Sequence, residues 1–190
     1  MRALILAGLA GAAMMAAILV VVACVWLWAG GFDPRASSPS RWAPVALDIA
    51  LKQRIEAADA RLGPPPASND RRAVIGYRQY DAECAACHGA PDAPRALWAK
   101  SLNPQPPDLT ETPARLSPKA LFWLICHGVK MTAMPAFGVQ RTDDEIWDLA
   151  LFVRALPTMK AQDYQRLRAT YGPAPKPFAL TPDAACLRGD

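Results

Sequence analysis

One five-residue stretch limits the possible folds of this chain more than any other feature. Residues 84–88 read Cys-Ala-Ala-Cys-His, and Cys-x-x-Cys-His is the spacing at which c-type haem is attached. On a helical turn, Cys84 and Cys87 can reach the two vinyl groups of the porphyrin, and His88 can then direct its imidazole at the iron. A thioredoxin-like Cys-x-x-Cys would need a βαβ setting, and no β-rich run lies nearby. We therefore expect one covalently attached haem c.

The iron also needs a sixth ligand or an open site. The downstream candidates are Met131, Met134 and His127. We favour Met134, because the proline that follows it stiffens its loop, and a Met–His pair raises the potential and closes the iron to outside ligands. A core methionine, or a histidine that caps its helix, is the ordinary alternative. The predicted cofactor-binding residues, of which the last two bind iron, are Cys84, Cys87, His88 and Met134.

The N-terminal part predicts a membrane anchor. Ala3 to Ala29 is a run of 27 residues without a charge. As a helix it would be about 40 Å long, enough to cross a hydrocarbon core of about 30 Å. Trp26 and Trp28 lie at its end, where aromatic rings favour the membrane interface, and Arg2 before it favours a cytoplasmic start.

Two alternatives to an uncleaved anchor stay open. A cleaved signal peptide normally has a shorter apolar region and a small-residue cleavage site. Lipoprotein processing is the second, because Val-Val-Ala-Cys24 resembles a lipobox. We favour the anchor because of the length of the run. Each alternative would still export the rest of the chain.

Pattern and composition divide the chain into four parts. We predict an anchor at 1–31, a linker with an amphipathic helix at 32–69, a haem-binding domain at 70–157, and a helical and then proline-rich tail at 158–190. The linker helix spans Val45 to Leu62 and could be a spacer, a docking face or a pad on the domain. We favour a solvated spacer. The helix of the tail covers Met159 to Tyr171.

Helix signals follow one another through the predicted domain. The first helix runs from about Asp70 to Cys84 and contains Gly76, whose cost of about 1 kcal/mol relative to Ala predicts a close helix crossing. Ser117-Pro118 begins another helix, which Gly128 ends. Thr-Asp-Asp-Glu at 142–145 is a capping box that opens the last helix. Its apolar stripe is Ile146, Leu149, Phe152, Val153 and Leu156.

Together these residues resemble class I c-type cytochromes, in particular bacterial membrane-anchored monohaem cytochromes, over about 70–157. The resemblance implies an all-α fold, a small shell around one haem in which the first and last helices cross. Gly76 and Tyr80 match the glycine–aromatic pair of the family's first helix. Leu149 and Phe152 are plausible counterparts on the last helix. The anchor, the linker and the tail lie outside the resemblance.

Two loops carry the resemblance further. Asn103 to Leu109 looks like the proline-rich proximal loop, which implies that one of its carbonyls accepts a hydrogen bond from the His88 ring. Leu121 to Gly138 looks like the distal segment, where His127 recurs without binding iron. Cys126 is a departure, since the resemblance implies a charged or polar residue there, and an exposed thiol beside haem would be open to oxidation.

Two cysteines remain to be assigned. Cys126 and Cys186 have no partner at the spacing of a metal site or a redox motif. They could form a disulfide in an oxidising compartment. The sequence does not place their Cα atoms near enough to predict it.

The charges exclude one class of function. The net charge is +4, and its positive residues are scattered, so nucleic-acid binding has no electrostatic basis. We expect an electron carrier rather than an enzyme, without a small-molecule substrate, working alone or as a subunit of a complex. Its expected partners are a quinol-oxidising complex or dehydrogenase and a terminal oxidase or reductase.

We expect the chain to be a single-pass protein of the bacterial inner membrane, with its haem domain in the periplasm. The alternative function is that of a haem enzyme, peroxidase-like or gas-binding, with a displaceable sixth ligand.

Overall fold

The computed structural model describes residues 2–29, 43–111, 116–172 and 185–188, and these form helices and turns without a β-strand. The predicted all-α fold is confirmed. The chain divides into two units, Met1–Pro39 and Ser40–Asp190. The start of the predicted linker, up to residue 42, and the proline-rich part of the tail lie outside the described residues, apart from Ala185–Arg188.

The described part of the first unit, residues 2–29, forms one helix, α1, at Arg2–Trp28. Its stretch Gly8–Trp28 is 21 residues long with a mean hydropathy of 2.5. By length and composition this helix could cross a membrane, although an N-terminal signal sequence would have the same properties. The predicted helix is therefore present, while its membrane role stays a prediction.

Helix α2, at Ala43–Arg61, forms where the linker helix was predicted, and within the second unit its last turns pack on the start of the helix that begins at Pro118. Ala58 is 2% exposed, and the Asp59 carboxylate accepts a hydrogen bond from the Ser117 hydroxyl. The Lys119 ammonium donates to the Leu62 carbonyl at 3.1 Å. The favoured interpretation as a solvated spacer is wrong. The last turns of the helix pack on the domain instead, because the small side chain of Ala58 allows a close approach.

The predicted first helix of the domain has two parts before the haem motif. Helix α3 spans Asp70–Gln79, and a wider π-helical turn follows at Tyr80–Cys84. Helix α4, at Ala85–His88, continues it through the motif. The predicted helix therefore has the correct bounds, but the sequence did not predict its π-helical turn. Such turns often occur at functional sites.

Helices α5, at Pro118–His127, and α6, at Asp143–Ala155, begin with the predicted caps. The Ser117 hydroxyl accepts from the backbone of Ala120 at 3.0 Å. Thr142 and Glu145 form the capping box, since the Thr142 amide donates to the Glu145 carboxylate at 2.9 Å and the Glu145 amide donates back at 3.4 Å.

Helices α3 and α6 cross at Gly76, as its position in the first helix predicts. A Cβ atom there would lie 2.7 Å from Phe152 Cβ and 2.9 Å from the carbonyl carbon of Asp148, and it would also overlap the Asp148 carbonyl oxygen. Only glycine allows this approach. The predicted stripe of α6 is fully buried at the crossing and consists of Ile146, Leu149, Phe152, Val153 and Leu156.

The last helix, α7 at Ala161–Tyr171, packs against α3. Tyr164 is fully buried, with its ring 5.2 Å from that of Tyr77 in an edge-on arrangement. Each such aromatic pair stabilises the fold by about 1 kcal/mol beyond the area that it buries. The helical part of the predicted tail is thus packed on the domain.

Candidate haem site

The Cys-x-x-Cys-His motif lies on a short helix that is bonded on two sides. Tyr80, on the turn before it, donates its hydroxyl to the Gly89 carbonyl at 2.6 Å. The Ala96 amide donates to the Ala86 carbonyl at 3.0 Å. Gly89 ends the helix with a φ of 80°, a conformation that other residues rarely adopt. These contacts hold the motif as a rigid turn.

The His88 ring is oriented by the proline-rich loop that follows. Its Nδ1 lies 2.8 Å from the Pro107 carbonyl oxygen, which can only accept, so Nδ1 carries the proton. The Leu109 amide donates to the His88 carbonyl at 3.0 Å. Burial lowers the pKa of His88, and the Pro107 carbonyl opposes this only in part. The imidazole is therefore neutral near neutral pH, with Nε2 available to a metal.

Neither motif cysteine takes part in a disulfide. Burial, together with the charge of Glu83, raises the pKa of Cys84 to about 12, and burial raises the pKa of Cys87 as well. The Cys84 side chain packs against the hydrophobic core. Both sulfurs are consequently uncharged, a form that is compatible with an apolar cofactor pocket.

The distal loop follows α5 and carries the predicted methionine ligand. Gly128 ends α5 with a φ of 63°, and a Cβ on it would lie 2.7 Å from the amide nitrogen of Ala136. The Met134 amide donates to the Thr132 hydroxyl at 3.1 Å, and its carbonyl accepts from Val129 at 3.2 Å. Both backbone groups of Met134, the amide and the carbonyl, are therefore hydrogen-bonded within the loop.

The candidates for the sixth ligand have different surroundings. Met134 is partly buried and packs against the hydrophobic core, whereas Met131 is 74% exposed. The ring of His127 lies 4.7 Å from that of Trp123. A permanent iron ligand must be held in place, so these surroundings favour Met134 over Met131.

Arg141 is a buried charge next to the site that sequence reasoning missed. It is 3% exposed, and its guanidinium contacts the Glu83 carboxylate at 2.6 and 3.3 Å. It also lies 3.5 Å from the Glu145 carboxylate. The pair joins the start of α6 to the residue before Cys84. Its only sequence signal is the pair of opposite charges, 58 residues apart.

Comparison with known proteins agrees with the geometry. Residues 71–153 match the family model described as cytochrome c oxidase, cbb3-type, subunit III. The domain is a class I c-type cytochrome. No match was found among curated proteins or among solved structures.

The residues of the cytochrome domain fit haem c, which its family implies. Two uncharged thiols stand on one turn, and the neighbouring imidazole has its Nδ1 bonded to a carbonyl, which leaves Nε2 for iron. Orientation of a ligating histidine through its other nitrogen is the usual arrangement at metal centres. A partly buried thioether is present on the distal loop. Among the described residues, no cluster of three or more His, Cys, Asp or Glu forms a second metal site.

Arg168 braces the proximal side of the cytochrome domain from α7. Its guanidinium contacts Asp81, before the motif, at 2.7 Å and Asp92, after it, at 2.6 Å. Tyr164 donates its hydroxyl to the same Asp81 carboxylate at 3.0 Å. Sequence reasoning missed this contact, because α7 lies in the tail, outside the family resemblance, and Arg168 is 87 positions from Asp81.

Cys126 forms a disulfide with Cys186, and the Cα atoms lie 6.5 Å apart. This distance is within the range that disulfides require. Cys126 is fully buried, so it is not an exposed thiol beside the site, and the disulfide that the sequence left open is formed. The reason is that Ala185–Arg188 lies against α5 and supplies the partner sulfur, which no local pattern predicts.

Proposed function

We propose that this chain is a membrane-tethered monohaem cytochrome c that transfers single electrons between respiratory-type redox partners. The observation that carries the proposal is the hydrogen bond between His88 Nδ1 and the Pro107 carbonyl. It aims Nε2 away from the loop and makes the imidazole a better donor to iron. The proposal is that of a carrier, not of an enzyme.

Each site residue has a distinct role in this proposal. Cys84 and Cys87 would hold one haem through thioether bonds, and His88 and Met134 would bind its iron. Haem c supplies a one-electron iron couple when bound. The partly buried Met134 keeps outside ligands off the metal, while the Pro107 carbonyl keeps the imidazole in one orientation.

The membrane tether and the compartment rest on two features. Helix α1 has the length and apolarity of a span. The Cys126–Cys186 disulfide is of a kind that persists in oxidising compartments and is rare in the cytosol. We therefore place the chain in the bacterial inner membrane, as a single-pass protein, with the haem domain in the periplasm.

The partners follow from the chemistry and from the family match. The matched model describes a subunit of a cbb3-type oxidase, so an oxidase complex is the acceptor that we propose. A quinol-oxidising complex or a dehydrogenase would be the donor. The chain could serve as a free carrier or as the electron-input subunit, and purification from membranes in mild detergent, followed by identification of bound subunits, separates the two.

Substitution of the distal methionines tests the carrier function. We expect Met134→Ala to lose the long-wavelength absorbance band of a ferric Met–iron bond and to bind carbon monoxide when reduced. Met131→Ala is the matched control and should keep the wild-type spectrum, because Met131 is exposed. Ready binding of carbon monoxide by the wild type would instead support a haem enzyme or gas-binding protein and refute the carrier.

A further inference from the structure

The segment Ala185–Arg188 is held by both helices that flank the distal loop. The disulfide joins Cys186 to Cys126 near the end of α5. The Cys186 amide also donates to the Asp143 carboxylate, at the start of α6, at 3.2 Å. A segment about 60 residues away in sequence is thus covalently fixed beside the loop that joins α5 to α6.

This segment contacts the distal loop at its C-terminal end. The loop ends in a tight turn at Phe137–Val139. A Cβ atom on Gly138 would lie 2.6 Å from the Cys126 sulfur and 3.0 Å from Leu187 Cγ. The disulfide and the Leu187 side chain therefore lie directly against the backbone of Gly138, four residues after Met134.

The N-terminal end of the loop is packed differently, within the loop itself. Gly128 approaches the backbone of Pro135 and Ala136 so closely that a side chain has no room there. A movement of the loop backbone that carries Met134 away from the core would shift one of these two contacts. The contact at Gly138 is the one that depends on a distant part of the chain.

We propose that the Cys126–Cys186 disulfide, together with Leu187, is a positioning clamp that keeps the Met134 thioether on the iron. The inference rests on the proposed function, since it takes Met134 as the sixth ligand. The clamp acts on the backbone of the distal loop and contacts no reacting atom. It sets the fraction of time for which the sixth site is open to an outside ligand.

The test measures how readily imidazole displaces the methionine in the full-length ferric holoprotein. We expect Cys186→Ser to bind imidazole about tenfold more tightly than the wild type, a difference of about 1.4 kcal/mol. Leu187→Ala should increase the affinity about threefold and leaves the disulfide in place. Cys24→Ser is the matched control for loss of a cysteine and should bind as the wild type does.

The disulfide could also act only by stabilising the whole fold, and a comparison at equal free energy of unfolding separates that role from the clamp. Imidazole affinity of the wild type is measured in urea at the concentration that lowers its free energy of unfolding by as much as Cys186→Ser does. Tighter binding by Cys186→Ser than by this matched wild type supports the clamp. The clamp is overturned if Cys186→Ser and the matched wild type bind imidazole equally tightly. It is also overturned if Cys186→Ser and Leu187→Ala, without urea, bind imidazole as the wild type does.

Failure of the proposed function gives a different result. If Met134→Ala has the wild-type spectrum and the wild-type imidazole affinity, then Met134 is not the ligand and both proposals fall. If Met134→Ala behaves as expected while Cys186→Ser and Leu187→Ala match the wild type, only the clamp is refuted.

Discussion

The proximal and distal sides of the haem site are built in different ways. On the proximal side, the bonds from Tyr80 to Gly89 and from His88 to Pro107 join residues 9 and 19 positions apart, and Arg168 braces the flanking Asp81 from α7. On the distal side, Met134 lies on a loop whose ends rest on a glycine contact and on a disulfide to residue 186. Pro107, which orients the His88 ring, is 19 positions away from it, whereas one of the two supports of the distal loop joins residues 60 positions apart.

The two sides also differ in burial. The distal loop carries exposed side chains, with Met131 at 74% and Val139 at 39%, whereas Gly89 and Ala90 after the motif are buried. We therefore expect the distal side to open at a lower free energy than the proximal side, as local unfolding in many proteins does. Hydrogen exchange in the holoprotein would measure this, with the amides of Val129 and Met134 less protected than those of Gly89 and Leu109.

The largest expected effect separates the two ligands. We expect His88→Ala to abolish the covalent holoprotein, because the histidine belongs to the attachment motif. Met134→Ala should retain haem through denaturing electrophoresis, because the thioether bonds lie on the proximal side. Haem staining of the gel measures both. Loss of staining in Met134→Ala would show that the distal side is needed for attachment and would remove the contrast.

The next effect concerns the glycine contact of the distal loop. Gly128→Ala should lower the free energy of unfolding by about 3 kcal/mol, because alanine is strained at a φ of 63° and its Cβ overlaps Pro135 and Ala136. Gly172→Ala is the matched control, with a φ of 61° and no atom within 4 Å of the added Cβ. Gly172→Ala should lower the free energy of unfolding by only about 1 kcal/mol.

Urea unfolding followed by circular dichroism gives both values. Equal losses in the two variants would mean that backbone strain alone determines the cost, and that the loop can yield at Pro135.

A smaller effect is expected for the brace on the proximal side. Arg168→Gln leaves the carboxylates of Asp81 and Asp92, which are 10% and 4% exposed, without their cation. We expect a loss of about 2 kcal/mol in the free energy of unfolding. The control is Arg166→Gln, whose pair with Asp163 is exposed, with a loss below about 0.5 kcal/mol. An Arg168→Gln variant that loses the methionine band would contradict the separation of the two sides.

The smallest effect concerns Asp108 in the proximal loop and depends on pH. Burial raises the pKa of Asp108, but hydrogen bonds from Thr110 and the charge of Arg95 outweigh it, so the pKa lies below its usual value. With a folded-state pKa below the unfolded one, the carboxylate stabilises the fold above a pH of about 4. That stabilisation is lost as the pH falls through the folded-state pKa.

Asp108→Asn should therefore cost about 1 kcal/mol at pH 7, and the difference from the wild type should shrink below about pH 4. Unfolding in urea at several pH values measures it. The exposed Asp48→Asn is the control and should change stability little at either pH. A deficit of Asp108→Asn that is constant with pH would mean that the charge of Asp108 is irrelevant.

Much of the fold could be predicted because its signals are local. The caps at Ser117 and Thr142 and the buried stripe of α6 depend on residues within a few positions of one another. Gly76 lowers helix stability, and a close helix crossing explains why it is there. The structure has that crossing, with α6. The exact carbonyl for His88 stayed open in the sequence, because several loop carbonyls lie at a similar distance along the chain.

The linker helix shows where local signals end. Its periodicity predicts α2 correctly, but an amphipathic pattern does not tell what the apolar face contacts. Its packing on Ser117 and Lys119 depends on residues about 60 positions away, and so the spacer interpretation was wrong.

The sequence by itself determined the Cys-x-x-Cys-His spacing, and with it the predicted haem attachment, because that chemistry needs two thiols and a histidine within five positions. It also determined the helices, whose hydrogen bonds reach only four residues. Only the tertiary structure decided which carbonyl orients His88, that Arg141 and Arg168 brace the motif, and that Cys126 is buried in a disulfide. Those contacts join residues that are 19 to 87 positions apart, and no local pattern encodes which distant residues meet.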